Sequence, residues 1–159
     1  MMPLILLAAV VPMTDQADAV SEELLDVLAL VESNSMADAV GDGGRSVGAF
    51  QIQEAMVAEA NRIMYLRYGR GIRVVPFTAA DRLNPARSRL VARIFLVHWS
   101  SRMARKHRHA MTEQDLISLW RWGSTRWRPK CVDHPVDKAR WEKACKYLHN
   151  RHEDGIMQP

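Results

Sequence analysis

The length, composition and charge of this chain exclude several kinds of protein. Its 159 residues are enough for one domain around one core. The hydrophobic content of 48% and the charged content of 25% exclude an intrinsically disordered chain, and the ordinary numbers of Gly and Pro exclude a fibrous or low-complexity one. A net charge of +4 suits a polyanionic partner but does not choose among nucleic acid, an anionic membrane and a cell-wall polymer.

The first 20 residues form an apolar segment and a connector. Met1–Met13 has the length of a signal-peptide core, and Ala17-Asp18-Ala19 resembles a cleavage site with small residues. No Lys or Arg precedes the apolar run, and the run is too short to span a bilayer as a helix. The segment predicts export to the periplasm, the cell wall or the extracellular medium. Packing of Leu4–Val11 on the domain is the alternative.

Helical periodicity and capping residues predict an all-α domain over residues 21–151, followed by a tail over 152–159. The first helix opens at Ser21 and ends near Glu32, and a loop rich in Gly, Asp and Ser follows it. In the second helix the predicted apolar positions include Ala55, Ala58, Ile63 and Leu66. No β-ladder is predicted. The remaining four helices are predicted to open at Glu54, at Asn84-Pro85, at Thr112 with Asp115 as a capping box, and at Asp137.

Glu32 is the candidate catalytic acid. A carboxyl group at the C-terminal end of a helix faces the negative end of the helix dipole, which disfavours its ionisation. Apolar neighbours such as Val31 and Phe50 would raise its pKa further. A glutamic acid that stays protonated near neutral pH can donate a proton to a glycosidic oxygen. An ordinary solvated carboxylate at a helix end is the alternative interpretation.

The segment that follows Glu32 has a distinctive pattern. Glu32-Ser33 is followed by Gly41-Asp42-Gly43-Gly44-Arg45-Ser46, then by Gly48 and by Phe50-Gln51-Ile52. This pattern resembles the signature of the lysozyme-like superfamily, with soluble lytic transglycosylases (SLT domains) and goose-type and invertebrate-type lysozymes as its nearest members. The resemblance implies a lysozyme-like helical fold with Glu32 as the acid. It also implies that Ser46, Gly48 and Gln51 line the substrate groove.

A second, less specific match lies in the C-terminal third. Leu119–Ser124 falls where the family carries an aromatic-Asn-x-Gly or Trp-Asn-Gly-Gly-Pro segment. Ala139–Lys143, with Tyr147-Leu148, resembles the family's closing Tyr-Trp-x-Lys-Val helix. The family Asn is missing, and Arg121 or Trp122 stands near its place. At this position, the wall of the substrate groove is therefore expected to differ from that of the family.

Asp42 is the candidate for a second carboxylate. A lysozyme of this family needs such a group to position water or to stabilise positive charge on the sugar. A lytic transglycosylase works with one Glu, because a hydroxyl of the substrate itself attacks. Asp42 can equally cap the Gly-rich turn, which is a common role for Asp. Hydrolysis and intramolecular transfer both stay open at this point.

Tryptophan and basic residues offer further candidates for binding. Trp122 and Trp127, in or beside a predicted loop, are the candidates for stacking on sugars, whereas Trp120 and Trp141 are predicted to lie in the core. The basic run Arg102–His109 suggests nucleic acid, but no nucleic-acid-reading motif accompanies it, and such runs are usually solvated helix ends.

The two cysteines leave three interpretations open. Cys131-x-x-His134 and Cys145-x-x-x-His149 have spacings that resemble those of zinc ligands. A disulfide between Cys131 and Cys145 is favoured for an exported protein, and two free thiols are favoured for a cytosolic one. The zinc site is the least favoured of the three.

The resemblance therefore implies an enzyme that cleaves the β-1,4 bond between N-acetylmuramic acid and N-acetylglucosamine in peptidoglycan, as members of that superfamily do. Glu32 is the acid, with Asp42 as a possible second carboxylate, and Ser46, Gly48, Gln51 and Trp122 contact the glycan. No metal or organic cofactor, no nucleic acid and no membrane span are expected, and the protein is expected to be a monomer. Two rivals are a non-catalytic wall-binding or assembly module of the same fold and a basic helical protein that binds nucleic acid.

Overall fold

The computed structural model describes residues 20–69 and 75–155, with side chains as far as residue 150. The predicted signal segment over residues 1–19 lies outside the described residues, as do residues 156–159 at the end of the tail. Within the described ranges, none of the helices is both long enough and apolar enough to cross a membrane.

The prediction of a mostly helical fold is confirmed. All five predicted helices are present, and short 3-10 helices connect some of them. Their bounds are α1 Glu22–Ser33, α2 Glu54–Tyr68, α3 Pro85–His107, α4 Glu113–Arg126 and α5 Pro135–Gly155. The 3-10 helices are Asp42–Gly44, Ala79–Leu83 and Pro129–Asp133.

The predicted N-caps hold the starts of three helices. The Ser21 hydroxyl accepts a hydrogen bond from the Leu24 amide at 3.0 Å, and the Asn84 side chain accepts one from the Arg87 amide at 3.0 Å. At α4 the capping box is reciprocal. The Thr112 hydroxyl accepts from the Asp115 amide, and the Asp115 carboxylate accepts from the Thr112 amide. Each cap satisfies amide groups that have no partner inside the helix.

The core draws on α1, α2, α3 and α4, and α3 packs against both α2 and α4. Burial of these apolar side chains from water is the main force that holds the helices together. The Trp120 ring meets Phe95 edge-on at 5.6 Å, and its indole N–H donates to the Phe50 carbonyl at 3.1 Å. The prediction that Trp120 belongs to the core is confirmed. The largest fully buried apolar side chains include Leu25, Leu28, Ile63, Leu96, Leu116, Leu119 and Trp127.

Two predictions about the helices are wrong. In α2 the buried side chains are Val57, Ala60 and Ile63, whereas Ala55 and Ala58 are exposed. Leu66 is also exposed. Of the four predicted apolar positions only Ile63 is therefore confirmed as buried, because the three alanines of this helix make two of its sides look equally apolar.

The segment that begins at Trp122 was also predicted incorrectly. It was predicted as a loop, but α4 continues to Arg126 through a break at Gly123, where φ is 69°. Trp127 is fully buried and lies edge-on to His107. The prediction that Trp127 lines a groove is therefore wrong.

A two-stranded sheet follows α1, where no β-ladder was predicted. Strands β1 (Val40–Gly41) and β2 (Ser46–Val47) are antiparallel, with Val40 opposite Val47 and Gly41 opposite Ser46. Two residues per strand give no detectable alternation in the sequence, which is why periodicity missed this hairpin. We call residues 34–53 the site loop, because this segment joins the end of α1 to α2.

Gly48 allows the site loop to dock on the rest of the domain. Its φ is 79°, and a Cβ at this position would lie 2.1 Å from the Arg82 carbonyl oxygen and 3.6 Å from that of Ala37. Both neighbours are backbone atoms and cannot rotate away. The glycine is therefore required by close approach as well as by its backbone conformation.

We expect Gly48→Ala to destabilise the fold by at least about 2 kcal/mol more than Gly43→Ala does. Gly43 is a matched control, because its φ is also positive at 66° but a Cβ there would meet nothing within 4 Å. Urea denaturation of the two variants checks this expectation. Equal losses of unfolding free energy would mean that the contact with Arg82 does not constrain the loop.

Candidate active site

Glu32 lies in the last turn of α1, where its side chain is only 12% exposed. The chain turns sharply after it, because Asn34 and Ser35 both adopt the left-handed conformation. The Asn34 amide donates to the Leu30 carbonyl at 2.9 Å and the Ser35 amide to the Ala29 carbonyl at 3.0 Å, and these two bonds close the end of the helix. The carboxyl group thus lies where the helix ends and the site loop begins.

Ser33 fastens this helix end to the site loop. Its hydroxyl is buried and lies 2.8 Å from the Ala49 carbonyl oxygen, to which it donates. Ser33, the serine of the Glu-Ser pair, therefore has a structural role. It fixes the position of Glu32 relative to the loop that contains Ser46, Gly48 and Gln51.

Opposing effects act on the pKa of Glu32. Burial is the largest of them and raises the pKa above its usual value of 4.5. The guanidinium of Arg140, which contacts the carboxylate directly, lowers it, and Arg121 lowers it further from a greater distance. The negative charge of Asp42 raises it. The net direction is upward, as a proton donor requires.

Arg140 on α5 is the only cation in direct contact with Glu32 among the described residues. Its Nη2 donates to Glu32 Oε1, whereas its buried Nε has no hydrogen-bond partner in the described part of the chain. A two-pronged pair, in which two parallel N–H groups bind both carboxylate oxygens, is the stronger arrangement. Arg140 therefore stabilises the ionised Glu32 carboxylate less than a two-pronged pair would.

Asp42 makes its contacts inside the site loop. The Ser46 hydroxyl donates to Asp42 Oδ2 at 2.7 Å, and the Gln53 amide donates to the Ser46 oxygen at 3.3 Å. Ser46 itself is buried. These bonds fit the role of Asp42 as a cap of the turn. They also leave Asp42 close enough to Glu32 for its charge to act on the pKa.

Gln51 is also bonded to the loop backbone. Its amide nitrogen donates to the carbonyls of Gly48 at 3.0 Å and Ala39 at 3.3 Å. Its amide oxygen lies over Gly41, where a Cβ would be only 2.2 Å away. In this structure the side chains of Ser46 and Gln51 hold the loop in shape, and their predicted contacts with glycan stay predictions.

The site loop concentrates uncommon backbone conformations. Besides Asn34 and Ser35, the non-glycine residues Asp42 and Gln51 have positive φ, at 50° and 48°. Such residues cost free energy and are over-represented at functional sites, where the surrounding structure holds them in place. This loop is therefore the part of the described chain where backbone geometry indicates a function.

Trp122, the last predicted site residue, belongs to a buried polar cluster on α4 and α5. Asp137 is 2% exposed and accepts from the Trp122 indole at 2.7 Å, from Arg121 at 2.6 Å and from the Ser118 hydroxyl at 2.6 Å. The Arg121 guanidinium also lies over the Trp122 ring, 4.8 Å from its centroid. Asp137 thereby orients an arginine that acts electrostatically on Glu32.

Three residues of α5 were not predicted as site residues. Asp137, Arg140 and Lys143 are spaced three apart and face α4 and the end of α1. The Lys143 ammonium donates to the Leu30 carbonyl at 2.8 Å and to the Asn34 side chain at 2.7 Å. Their regular spacing was a usable signal, because residues three apart share one face of a helix.

The two cysteines are free thiols in this structure. Cys131 is half-buried, and its sulfur accepts from the Arg128 amide at 3.2 Å, while Cys145 is exposed. In the described part of the chain, no three His, Cys, Asp or Glu side chains come together in a way that could hold a metal ion.

Comparison of this chain with protein-family models, with curated proteins and with solved structures finds no match. The function therefore has to be inferred from the geometry and charges of the site.

We expect Asp137→Asn to lower the free energy of unfolding by about 3 kcal/mol, because Arg121 would lose its buried ionic partner. Asp133→Asn is the control, since Asp133 is an exposed acid at the end of the preceding 3-10 helix. That variant should stay within about 0.5 kcal/mol of wild type. Chemical denaturation at pH 7 measures both, and similar small losses would contradict a structural role for Asp137.

Proposed function

We propose that this protein cleaves the β-1,4 bond between N-acetylmuramic acid and N-acetylglucosamine in peptidoglycan, with Glu32 as the general acid. The observation that carries the proposal is the buried carboxyl group at the end of α1, whose pKa is raised despite a neighbouring arginine. The strained site loop beside it and the resemblance of Glu32–Ile52 to lysozyme-like sequences support the same activity.

In the proposed reaction, Glu32 donates its proton to the glycosidic oxygen as the bond from that oxygen to C1 of the muramic acid residue breaks. Positive charge develops on the sugar ring. The C6 hydroxyl of the same sugar then attacks C1, and its proton passes to the Glu32 carboxylate. The products are an anhydro end and a free hydroxyl, and Glu32 is protonated again. One carboxyl group serves both steps.

The contacts of Asp42 favour this intramolecular transfer over hydrolysis. A hydrolase of this kind needs a second carboxylate that activates water or stabilises the charged sugar. Asp42 Oδ2 is already bonded to Ser46 within the turn. Its part in the proposed reaction is to raise the pKa of Glu32.

A non-catalytic module of the same fold is the second candidate. The direct contact between Arg140 and Glu32 favours it, since a fixed cation stabilises the ionised form, which cannot donate a proton. Arg121 and Trp122 stand near the place where related sequences carry Asn. A protein of this second kind would bind wall polymer without cutting it.

Digestion of purified peptidoglycan by wild type and by Glu32→Gln tests the proposal. We expect wild type to release muropeptides with anhydro ends, which mass spectrometry identifies, and Glu32→Gln to lose at least about 1,000-fold of the rate, because the amide has no proton to donate. Asp42→Asn should retain most of the anhydro product. Binding of both variants to sedimented wall should match wild type.

The products separate the alternatives. Reducing ends from wild type, together with loss of activity in Asp42→Asn, would show a hydrolase with two carboxylates. Equal release by wild type and Glu32→Gln would exclude Glu32 as the acid. Wall binding without release by any of the proteins would support the non-catalytic module.

A further inference from the structure

A second concave site lies between the C-terminal half of α3 and the end of α4. It is a pocket of about 660 Å³, and none of the residues around Glu32 lines it. Its polar and aromatic lining consists of Trp99, Arg102, Arg105, Lys106, Ser124 and Thr125. The predicted peptidoglycan activity makes no use of this surface.

Of the residues that the structure describes, three cations and no carboxylate line this pocket. Among the described residues, Arg102, Arg105 and Lys106 take part in no ion pair, although seven other arginines of the domain do. Three like charges within five consecutive residues of one helix repel one another unless an anion lies between them. The negative end of the α3 dipole offsets part of this repulsion at Arg105 and Lys106. It does not explain why all three line one concavity with two hydroxyl groups.

Trp99 gives the pocket a fixed wall. Its indole N–H donates to Glu59 at 3.0 Å, and the Arg102 guanidinium lies 5.7 Å from its ring centroid. The charge of Glu59 is compensated by Arg62, with which it forms two hydrogen bonds at 2.6 and 2.7 Å. The Glu59 carboxylate therefore does not neutralise the positive charge of the pocket. Arg102 is positioned by its contact with the Trp99 ring and not by an ion pair.

We propose that this pocket binds a pyrophosphate group, meaning two linked phosphates that carry about three negative charges. We choose pyrophosphate because its charge balances the three cations, whereas a single carboxylate would leave two of them unpaired. Guanidinium groups match phosphate oxygens in geometry, and the lysine and the two hydroxyls supply further donors. A volume of about 660 Å³ is large enough for two phosphates and for part of the molecule that carries them.

Isothermal titration calorimetry with inorganic pyrophosphate tests the site. The double variant Arg105→Gln/Lys106→Gln removes two cations from the pocket, and we expect it to bind at least tenfold more weakly, since each cation supplies a charge-assisted hydrogen bond. Arg126→Gln/Lys138→Gln is the matched control. It removes one Arg and one Lys that are exposed and do not line the pocket, so that the net charge falls equally from +4 to +2. The control should bind within about twofold of wild type.

Other probes fix the ligand chemistry. Inorganic phosphate should bind at least tenfold more weakly than pyrophosphate in the same buffer. Citrate carries a similar charge on carboxylates, so citrate that binds as tightly as pyrophosphate would overturn the assignment to phosphate. A single-stranded oligonucleotide that binds more tightly than pyrophosphate, and loses affinity in the pocket variant alone, would replace the proposal with a nucleic-acid site. Equal losses in the two double variants would show that only net charge matters, and no heat with pyrophosphate at millimolar concentration would overturn the proposal.

Discussion

The docking of α5 on the end of α1 determines the geometry of the candidate active site. Asp137, Arg140 and Lys143 follow one another at intervals of three residues, so that one side of α5 reaches groups on both α4 and the end of α1. Asp137 holds Arg121 and Trp122 of α4, Arg140 contacts Glu32, and Lys143 donates to the Leu30 carbonyl of α1. A carboxyl group that would otherwise sit at an open helix end is thereby enclosed.

Burial and positive charge compete for the proton of Glu32. Desolvation favours the neutral carboxylic acid, whereas Arg140 and Arg121 favour the carboxylate. Similar opposing effects on a pKa occur in enzymes that keep a carboxylic acid protonated near neutral pH. Here the single-pronged contact with Arg140 leaves burial as the larger effect, and Asp42 adds repulsion from the loop side. The proposed chemistry depends on this balance more than on any one contact.

The sequence predicted the helices well because their ends carry strong local signals. Ser21, Asn84 and the Thr112–Asp115 pair fixed three helix starts, and the structure confirms each. Local signals failed where tertiary contacts decide. Gly123 interrupts α4 without ending it, and Trp127 is buried although it follows a helix end and looked like part of a loop.

The candidate site was predictable only in part. Glu32 and the site loop stood out because their residue types resemble a known pattern, and the structure places Asp42 near enough to act on Glu32. The ties of Gln51 to the loop were not foreseen, because its partners are backbone carbonyls that any residue could supply. Arg140 lies 108 residues from Glu32 in the sequence, and local sequence patterns do not predict contacts between residues so far apart in the chain.

The most direct test of this account is the titration of the Glu32 side-chain carboxyl by carbon-13 NMR, with the resonance assigned by its absence in Glu32→Gln. If burial outweighs the two arginines, the pKa of Glu32 in wild type lies above 4.5, and Arg140→Met raises it further. A wild-type pKa at or below 4.5 would contradict the account. It would mean that Arg140 keeps Glu32 ionised at neutral pH, where it has no proton to give to a glycosidic oxygen.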